Sequence, residues 1–432
     1  MKNNLFALTF SSVIFIALPA FAASGQTVQA SVSKGTIENK GFINLTPKQQ
    51  AIDNKPVKEQ PFVKEYVPVK EQMPRGVWVS VFSAKDWLYS KEGVNNLINQ
   101  CKKANINQIY LQFFQSGNFY YDSKIGDRSK YESMLKSAGI DTIDLLLSQA
   151  QEKGIKVFAW VNILSLGNNP QAGILKKYGE SILTRDQYMR ASHTGTKSVL
   201  DKYYLREDQI FLEPGDPRVE GYMLNVVNEI INRYPLISGV HLDYIRYPSP
   251  VPFVPGSRFK NFGLTYGYGI KNLERFRDKT GLNPAEALNN EAEYLSWDNW
   301  RRQQVTDLVK KISSLVKVKS PDLLVSCAVI PLPERAYTNA FQDWSRWLEE
   351  GIVDSVVLMN YTKDSQFAKE VVKSGLGHRG KGKVYVGIGV FLMKNNPEMF
   401  FNQYHTALEL KPDGLVLFSI DDLTNEIIGY LN

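Results

Sequence analysis

From Arg75 onward, short apolar runs alternate with longer segments in which apolar residues recur every three or four positions. The short runs predict eight β-strands, at residues 76–82, 108–114, 156–164, 239–247, 323–330, 354–361, 383–391 and 414–420. The longer segments predict helices at residues 94–104, 142–153, 217–233, 300–318, 341–350, 365–374 and 397–410. Strands and helices therefore alternate through this whole part of the chain.

This alternation predicts an α/β protein, because each strand followed by a helix forms one unit of a parallel sheet. Eight such units over roughly 350 residues match the (β/α)8 TIM barrel, in which the last strand closes onto the first. A doubly wound open sheet is the alternative, but no Gly-x-Gly-x-x-Gly loop follows the first strand. We predict a barrel domain over residues 74–432, preceded by a signal peptide and a Pro-rich linker.

Residues 1–22 have the three parts of a secretory signal peptide: a basic start, an apolar run over residues 5–18, and a small-x-small cleavage site ending at Ala22. An uncleaved N-terminal anchor is the alternative, although the apolar run is short for a membrane span. Residues 23–73 repeat the sequence Pro-Val-Lys-Glu-Gln and show no period that could bury a face, so they predict an extended, disordered linker. We expect a periplasmic or secreted protein with no stable membrane insertion after signal cleavage.

The charge and the cysteine content of the chain exclude some classes of function. The 51 Lys and Arg residues exceed the 44 acids, giving a net charge of +7, but they are scattered rather than clustered. This pattern argues against a nucleic-acid partner and fits mild attraction to an anionic envelope polymer. The two cysteines, Cys101 and Cys327, exclude a disulfide scaffold and are expected to be small buried apolar groups. We expect a monomer that uses no cofactor.

The most informative segment covers residues 238–248, where a predicted buried strand contains a single carboxylate, Asp243. Side chains alternate along a strand, so His241, Asp243 and Ile245 are predicted to share one face. A carboxylate among apolar residues must be hydrogen-bonded, paired with a cation such as Arg246, or tuned for chemistry. The alternative is an Asp-Arg pair that only stabilises a loop.

Barrel enzymes place their chemistry at the C-terminal ends of the strands, and here those ends carry carboxylates, amides and aromatic rings. Such groups suit sugars, because rings stack on pyranose faces while amides and charged groups bond to hydroxyls. The predicted substrate-binding residues are Trp160, Asn162, His241, Arg246, Tyr247, Asn360, Tyr361 and Asp421. His241 and Asp243 could supply two metal ligands, but no third is evident, so we predict no metal site.

Cleavage of a glycosidic bond needs two carboxyl groups, one to protonate the leaving oxygen and one to act as nucleophile or base. Asp243 is the first candidate, as nucleophile or base, and Glu334, just after the fifth predicted strand, is the candidate acid. Asp421 and Asp422 are rivals, and Glu334 could instead be an ordinary solvated charge. Glu213 is predicted to serve only the beginning of the third predicted helix.

Five pieces of the chain resemble, in order, the bacterial glycosyl hydrolase-like family ten, a family of exported (β/α)8 barrels. They are RGVWV at 75–79, FAWVN at 158–162, LEPGDPRV at 212–219, GVHLDYIRYP at 239–248 and VLMNY at 357–361. The fourth piece is the most specific of them. Two departures stand out: many relatives carry Asn where this chain has Glu213, and a second Asp where it has Tyr244.

The resemblance implies a glycosidase-like protein, and some similar proteins act on the glycan strands of peptidoglycan. We therefore expect an exported glycoside hydrolase of an amino-sugar polysaccharide, with Asp243 and Glu334 as its carboxyl groups. The missing second Asp weakens any mechanism that uses two adjacent aspartates. The alternative is a barrel that binds glycan in the cell envelope without cutting it.

Overall fold

The computed structural model of the chain describes residues 73–193, 207, 209–249, 264–284 and 290–432. The predicted signal peptide lies outside the described residues, as does the predicted linker up to Gln72. Residues Met73–Asn432 form one compact unit. Within its described part, no helix is both long enough and apolar enough to cross a membrane.

Eight parallel strands close into a barrel, and a ninth, very short strand pairs with the end of one of them. The strands are β1 (Arg75–Val79), β2 (Gln108–Gln115), β3 (Asn118–Phe119), β4 (Lys156–Asn162), β5 (Gly239–Asp243), β6 (Leu324–Val329), β7 (Ser355–Asn360), β8 (Lys383–Gly389) and β9 (Gly414–Phe418). Strand β1 pairs with both β2 and β9, which closes the sheet, while β3 folds back antiparallel on β2. The predicted (β/α)8 barrel is confirmed, and the open sheet is excluded.

Twelve α-helices are present in the described residues. They are α1 (Lys91–Lys103), α2 (Ser129–Ala138), α3 (Thr142–Glu152), α4 (Gly173–Tyr178), α5 (Pro217–Arg233), α6 (Ile270–Thr280), α7 (Glu291–Lys319), α8 (Pro333–Asn339), α9 (Trp344–Glu349), α10 (Ser365–Leu376), α11 (Pro397–Glu409) and α12 (Asn425–Gly429). All seven predicted helices occur. The prediction missed α2, α4, α6, α8 and α12, which are short or bury few apolar side chains.

The fourth predicted strand is shorter than expected. Strand β5 ends at Asp243 because Tyr244 takes a left-handed backbone conformation, with φ of 51°, that cannot continue a strand. The prediction that Ile245 continues the face of Asp243 is therefore wrong. Arg246 and Tyr247 lie in the loop that follows β5, so their side chains need not alternate between the two faces of the sheet.

Aromatic side chains fill the inside of the barrel. The interior cluster consists of Trp78, Tyr110, Phe158, Trp160, Val357, Tyr385 and Val416. A second, larger apolar layer lies between the strands and the helices, and α7 contributes Val305, Leu308 and Ile312 to it. The barrel is thus closed below its C-terminal mouth, as a packed core rather than a pore.

Two long loops pack on each other beside this mouth, one between β4 and α5 and the other between β5 and α6. The N–H of Gly267 donates to Thr184 Oγ1 at 3.1 Å, and the carbonyl of Arg185 accepts from Gly267 at 3.1 Å and from Tyr268 at 3.0 Å. A bridge between Asp186 and Tyr266 continues this contact. The described parts of the two loops therefore form one wall that rises from neighbouring strands.

Candidate active site

Asp243 is the last residue of β5 and lies at the C-terminal mouth of the barrel. Its Oδ2 accepts from Trp160 Nε1 at 3.1 Å, and its Oδ1 accepts from the backbone N–H of Tyr244 at 2.7 Å. Trp160 comes from the adjacent strand β4, where Asn162 is paired with Asp243. Asp243 as a whole residue is 8% exposed. Two neighbouring strands thus bring a carboxyl and an indole together.

The environment of Asp243 favours its protonated form. Burial raises the pKa of the carboxyl, while the Tyr244 N–H, the charge of Arg246 and the Trp160 indole lower it by less, so the net shift is upward. The left-handed conformation of Tyr244 is uncommon for a residue with a side chain, and it ends the strand directly after Asp243. A carboxyl that retains its proton more strongly than usual is suited to donate it to a leaving group.

His241 lies one layer below Asp243, inside the barrel. Trp78 Nε1 donates to His241 Nε2 at 3.2 Å, so the proton of a neutral imidazole is on Nδ1, which is 2.8 Å from Ser326 Oγ. Burial lowers the pKa of His241 to about 3. His241 is completely buried, so it supports the site from beneath. Within the described residues, no group of three or more His, Cys, Asp or Glu side chains is arranged to hold a metal ion.

Four aromatic side chains surround the mouth beside Asp243, and we call Trp160, Tyr361, Phe391 and Phe418 the aromatic floor. The ring of Phe418 lies 6.4 Å from that of Trp160, 5.5 Å from that of Tyr361 and 6.0 Å from that of Phe391. Burial and then the charge of Asp243 raise the pKa of Tyr361, which places this phenol near the carboxyl. Sequence analysis named Trp160 and Tyr361 but missed the two phenylalanines.

Arg246 does not form the expected ion pair with Asp243. Its Nη1 and Nη2 donate to Glu207 Oε2 at 3.1 Å and Oε1 at 2.9 Å, and Ser249 Oγ donates to Glu207 Oε1 at 2.7 Å. The pairing is possible because Arg246 is in the loop after β5 rather than on the strand. Its charge still acts on Asp243 from a distance. Glu207 was missed, since no pattern in its loop marks it.

Tyr247 and Glu213 form a second, deeper polar cluster. Tyr247 is fully buried, and its hydroxyl donates to Glu213 Oε1 at 2.6 Å. Glu213 also accepts from the backbone N–H groups of Gly215 at 3.1 Å and Gly269 at 3.2 Å. Burial raises the pKa of Glu213 to about 7 despite these donors. Glu213 therefore joins the two long loops, and Tyr247 serves Glu213 instead of lining the mouth.

Of the remaining predicted residues, Asn162 lies beside Asp243 and the others are dispersed. Asn162 is buried and accepts a long hydrogen bond, 3.4 Å, from Gln112. Asn360 faces the helices, because its Nδ2 donates to the carbonyl of Ala368 in α10 at 3.1 Å. Asp421 accepts from Ser83 Oγ at 2.6 Å and Trp87 Nε1 at 3.0 Å. Glu334 is exposed on the first turn of α8. The structure therefore brings Asp243, Trp160, Tyr361 and His241 together, and it leaves Asn360 and Glu334 outside that group.

The chain is similar to known proteins along most of its length. A family model described as glycosyl hydrolase-like 10 matches residues 73–378. The chain is similar to the glycosyl hydrolase DigH of Escherichia coli strain K12, with 23% identity over 418 residues, 83% of this chain and 87% of that protein. It is also similar to the glycosyl hydrolase YngK of Bacillus subtilis strain 168, with 22% identity over 396 residues, 82% of this chain and 69% of that protein.

Among solved structures, the fold is similar to the catalytic domain of a β-amylase from Paenibacillus polymyxa. The TM-score is 0.52 at 12% identity, over 84% of this chain and 95% of that chain. At such low identity the likeness concerns the fold alone, and it agrees with a closed (β/α)8 barrel.

Proposed function

This chain belongs to the glycosyl hydrolase-like 10 family, and from that premise we propose that it is an exported glycoside hydrolase. Its proposed substrate is an amino-sugar polysaccharide, with the glycan strands of peptidoglycan as the main example. The five sequence pieces that resembled the family lie within the matched residues 73–378.

The position of Asp243 carries the proposal. A buried carboxyl at the C-terminal end of a barrel strand costs stability, and barrel enzymes place their reacting groups at such positions. Because its pKa is raised, Asp243 is suited to protonate the glycosidic oxygen. We therefore assign it the acid role, in place of the nucleophile or base role that the sequence suggested.

Three features support the proposed substrate class. The aromatic floor offers ring faces and edges on which a pyranose can pack. The amides of Gln112 and Asn162 lie on the neighbouring strands β2 and β4, and amides pair well with the acetamido groups of amino sugars. A net charge of +7 fits a polymer that carries carboxylates.

Export is part of the proposal, because it rests on the signal-peptide pattern of residues 1–22. Expression of the full chain in a Gram-negative host is expected to give a mature protein that begins at Ala23. Mass spectrometry of the periplasmic fraction measures this directly. A protein that keeps Met1 and stays with the membrane fraction would support the uncleaved anchor instead.

The test of activity compares the wild-type protein with Asp243→Asn on purified, peptide-free glycan strands. Removing a proton donor is expected to lower the rate of reducing-end release by about 10²–10⁴-fold. Asn is nearly isosteric with Asp and its oxygen keeps one of the two donors, Trp160 or the Tyr244 N–H, so the unfolding temperature should fall only modestly. Equal rates for the two proteins would exclude Asp243 from the reaction.

A glycan-binding barrel without activity is the second candidate. The aromatic floor favours it, because ring stacking holds a sugar whether or not a bond is then broken. Retention of the wild-type protein on cell-wall sacculi, with no release of reducing ends over long incubation, would support binding alone.

A further inference from the structure

Glu207 reaches the barrel mouth from the loop between β4 and α5. Both of its oxygens contact Arg246, at 2.9 Å and 3.1 Å, and one also accepts from Ser249 at 2.7 Å. We propose that Glu207 is the second carboxyl of the site, the base that activates the attacking water while Asp243 protonates the leaving oxygen. This inference rests on the proposed glycoside hydrolase function and adds to it a residue and a stereochemical outcome.

Asp243 and Glu207 share two neighbours. The guanidinium of Arg246 binds Glu207 and is close enough to Asp243 to lower the pKa of that carboxyl. The ring of Tyr244 lies 5.2 Å from the same guanidinium, and after burial it is Asp243 and then Glu207 whose charges raise the pKa of its phenol. One phenol and one guanidinium therefore lie within electrostatic reach of both carboxyl groups.

The hydrogen bonds of Glu207 leave room for a water. An ionised carboxylate offers about four acceptor positions, and among the described residues Arg246 and Ser249 occupy three of them. The fourth position, which no described residue fills, can accept from one water molecule, as a base requires. The ion pair with Arg246 holds the carboxylate in place, since two parallel N–H···O bonds fix its plane.

Other described acids near the mouth are less suited to this role. Asp421 is bonded to Ser83 and Trp87 on the far side of the aromatic floor. Glu213 is fully buried beneath Tyr247. Glu334 is exposed on α8, where no hydrogen bond to another described residue orients its carboxylate toward the mouth.

The reaction balances with these two groups. Asp243 gives its proton to the glycosidic oxygen, and the bond from that oxygen to the anomeric carbon breaks with its electron pair moving to the oxygen. On the opposite face of the sugar, a water oxygen bonds to the anomeric carbon and releases one proton to Glu207. One water is consumed and two sugar hydroxyls form. Glu207 then loses its proton to solvent and Asp243 regains one, and the product sugar has inverted configuration.

Two measurements test the role of Glu207 in the full-length protein. Proton NMR of the first product released from purified glycan strands by the wild type is expected to show inversion, and this readout needs no variant. Glu207→Gln is expected to lower the hydrolysis rate by about 10²–10⁴-fold. Molar sodium azide should restore turnover and yield an inverted glycosyl azide, because azide needs no base. A residue that only anchors the loop would give no azide product.

The matched control is Glu350→Gln, which also removes a Glu from an Arg pair, Arg346–Glu350 at 2.6 Å, on the exposed end of α9. It is expected to keep the wild-type rate. Retention of configuration, full activity of Glu207→Gln, or loss of activity only in Glu334→Gln would overturn the role of Glu207 and leave the proposed function standing. If the wild type releases no reducing ends, the proposed function fails and this inference fails with it.

Discussion

Asp243 and Glu213 are two buried acids with raised pKa values. Asp243 ends β5, whereas Glu213 lies in the loop between β4 and α5, and their surroundings differ. Asp243 accepts from two donors, the Trp160 indole and the Tyr244 N–H. Glu213 accepts from Tyr247, Gly215 and Gly269, and the hydroxyl of Thr184 is a fourth partner. A carboxylate has about four acceptor positions, so those of Glu213 are filled, whereas described residues fill only two of those of Asp243.

The comparison shows that burial and a raised pKa do not by themselves identify a reacting acid. Glu213 is the more deeply buried of the two, at 1% exposure against 8% for Asp243. Its donors come from both long loops, so its carboxylate connects them. Free acceptor positions that face an open mouth are what separate a carboxyl available for chemistry from one that stabilises the fold.

The largest expected effect is a change in the free energy of unfolding, and it distinguishes the two acids. Glu213→Ala should lower the free energy of unfolding by about 4 kcal/mol, because Tyr247 and two backbone N–H groups lose their acceptor inside the protein. Asp243→Ala should cost less, about 2 kcal/mol, since only two donors lose their acceptor. Urea unfolding at neutral pH measures both. Equal losses would remove the distinction between the two sites.

The pH dependence of stability sharpens the same distinction. The pKa of Glu213 is about 7 in the folded protein against 4.5 ordinarily, so between these pH values the unfolded chain ionises first. The unfolded state then binds fewer protons, and the Glu213 contribution to stability falls as pH rises from 4.5 to 7, by about 3 kcal/mol in total.

Glu213→Gln cannot ionise and is the control for this effect. The difference in unfolding free energy between the wild type and Glu213→Gln, measured in urea at pH 4.5 to 7.5, should change by about 3 kcal/mol in favour of the variant as pH rises. A constant difference across this range would mean that Glu213 is ionised throughout, and that its four donors outweigh its burial.

Sequence patterns predicted the barrel because a closed parallel sheet repeats one simple unit, and each strand carries its own apolar signal. The same period of two placed His241 and Asp243 on the interior face, and Trp160 on the neighbouring strand. It is harder to predict which residues of a strand face the barrel interior than to predict that the strand forms. Asn360 and Tyr361 are adjacent, and in the structure Asn360 bonds to α10 while Tyr361 reaches the mouth.

Contacts made by loops were beyond the reach of those patterns. Arg246 binds Glu207, a partner 39 positions away in the sequence, and nothing periodic marks either end of such a contact. The early end of β5 has a similar origin, because the left-handed conformation of Tyr244 reflects its tertiary surroundings rather than its own preference. The suggested ion pair between Asp243 and Arg246 was therefore wrong.

The smallest expected effect concerns Asp243 alone and tests whether it is the acid. Trp160→Phe removes the indole N–H, which lowers the pKa of Asp243, while it keeps an aromatic ring in the floor. The pKa should then rise further, because the ionised carboxyl loses one of its two hydrogen-bond donors. A general acid loses its proton as pH rises through its pKa, so the alkaline limb of the pH–rate profile on glycan strands should move to higher pH.

A shift of the acidic limb instead would make Asp243 the base, because a general base becomes ionised and active as pH rises through its own pKa. Glu213 is not expected to affect either limb, since no substrate reaches it behind Tyr247.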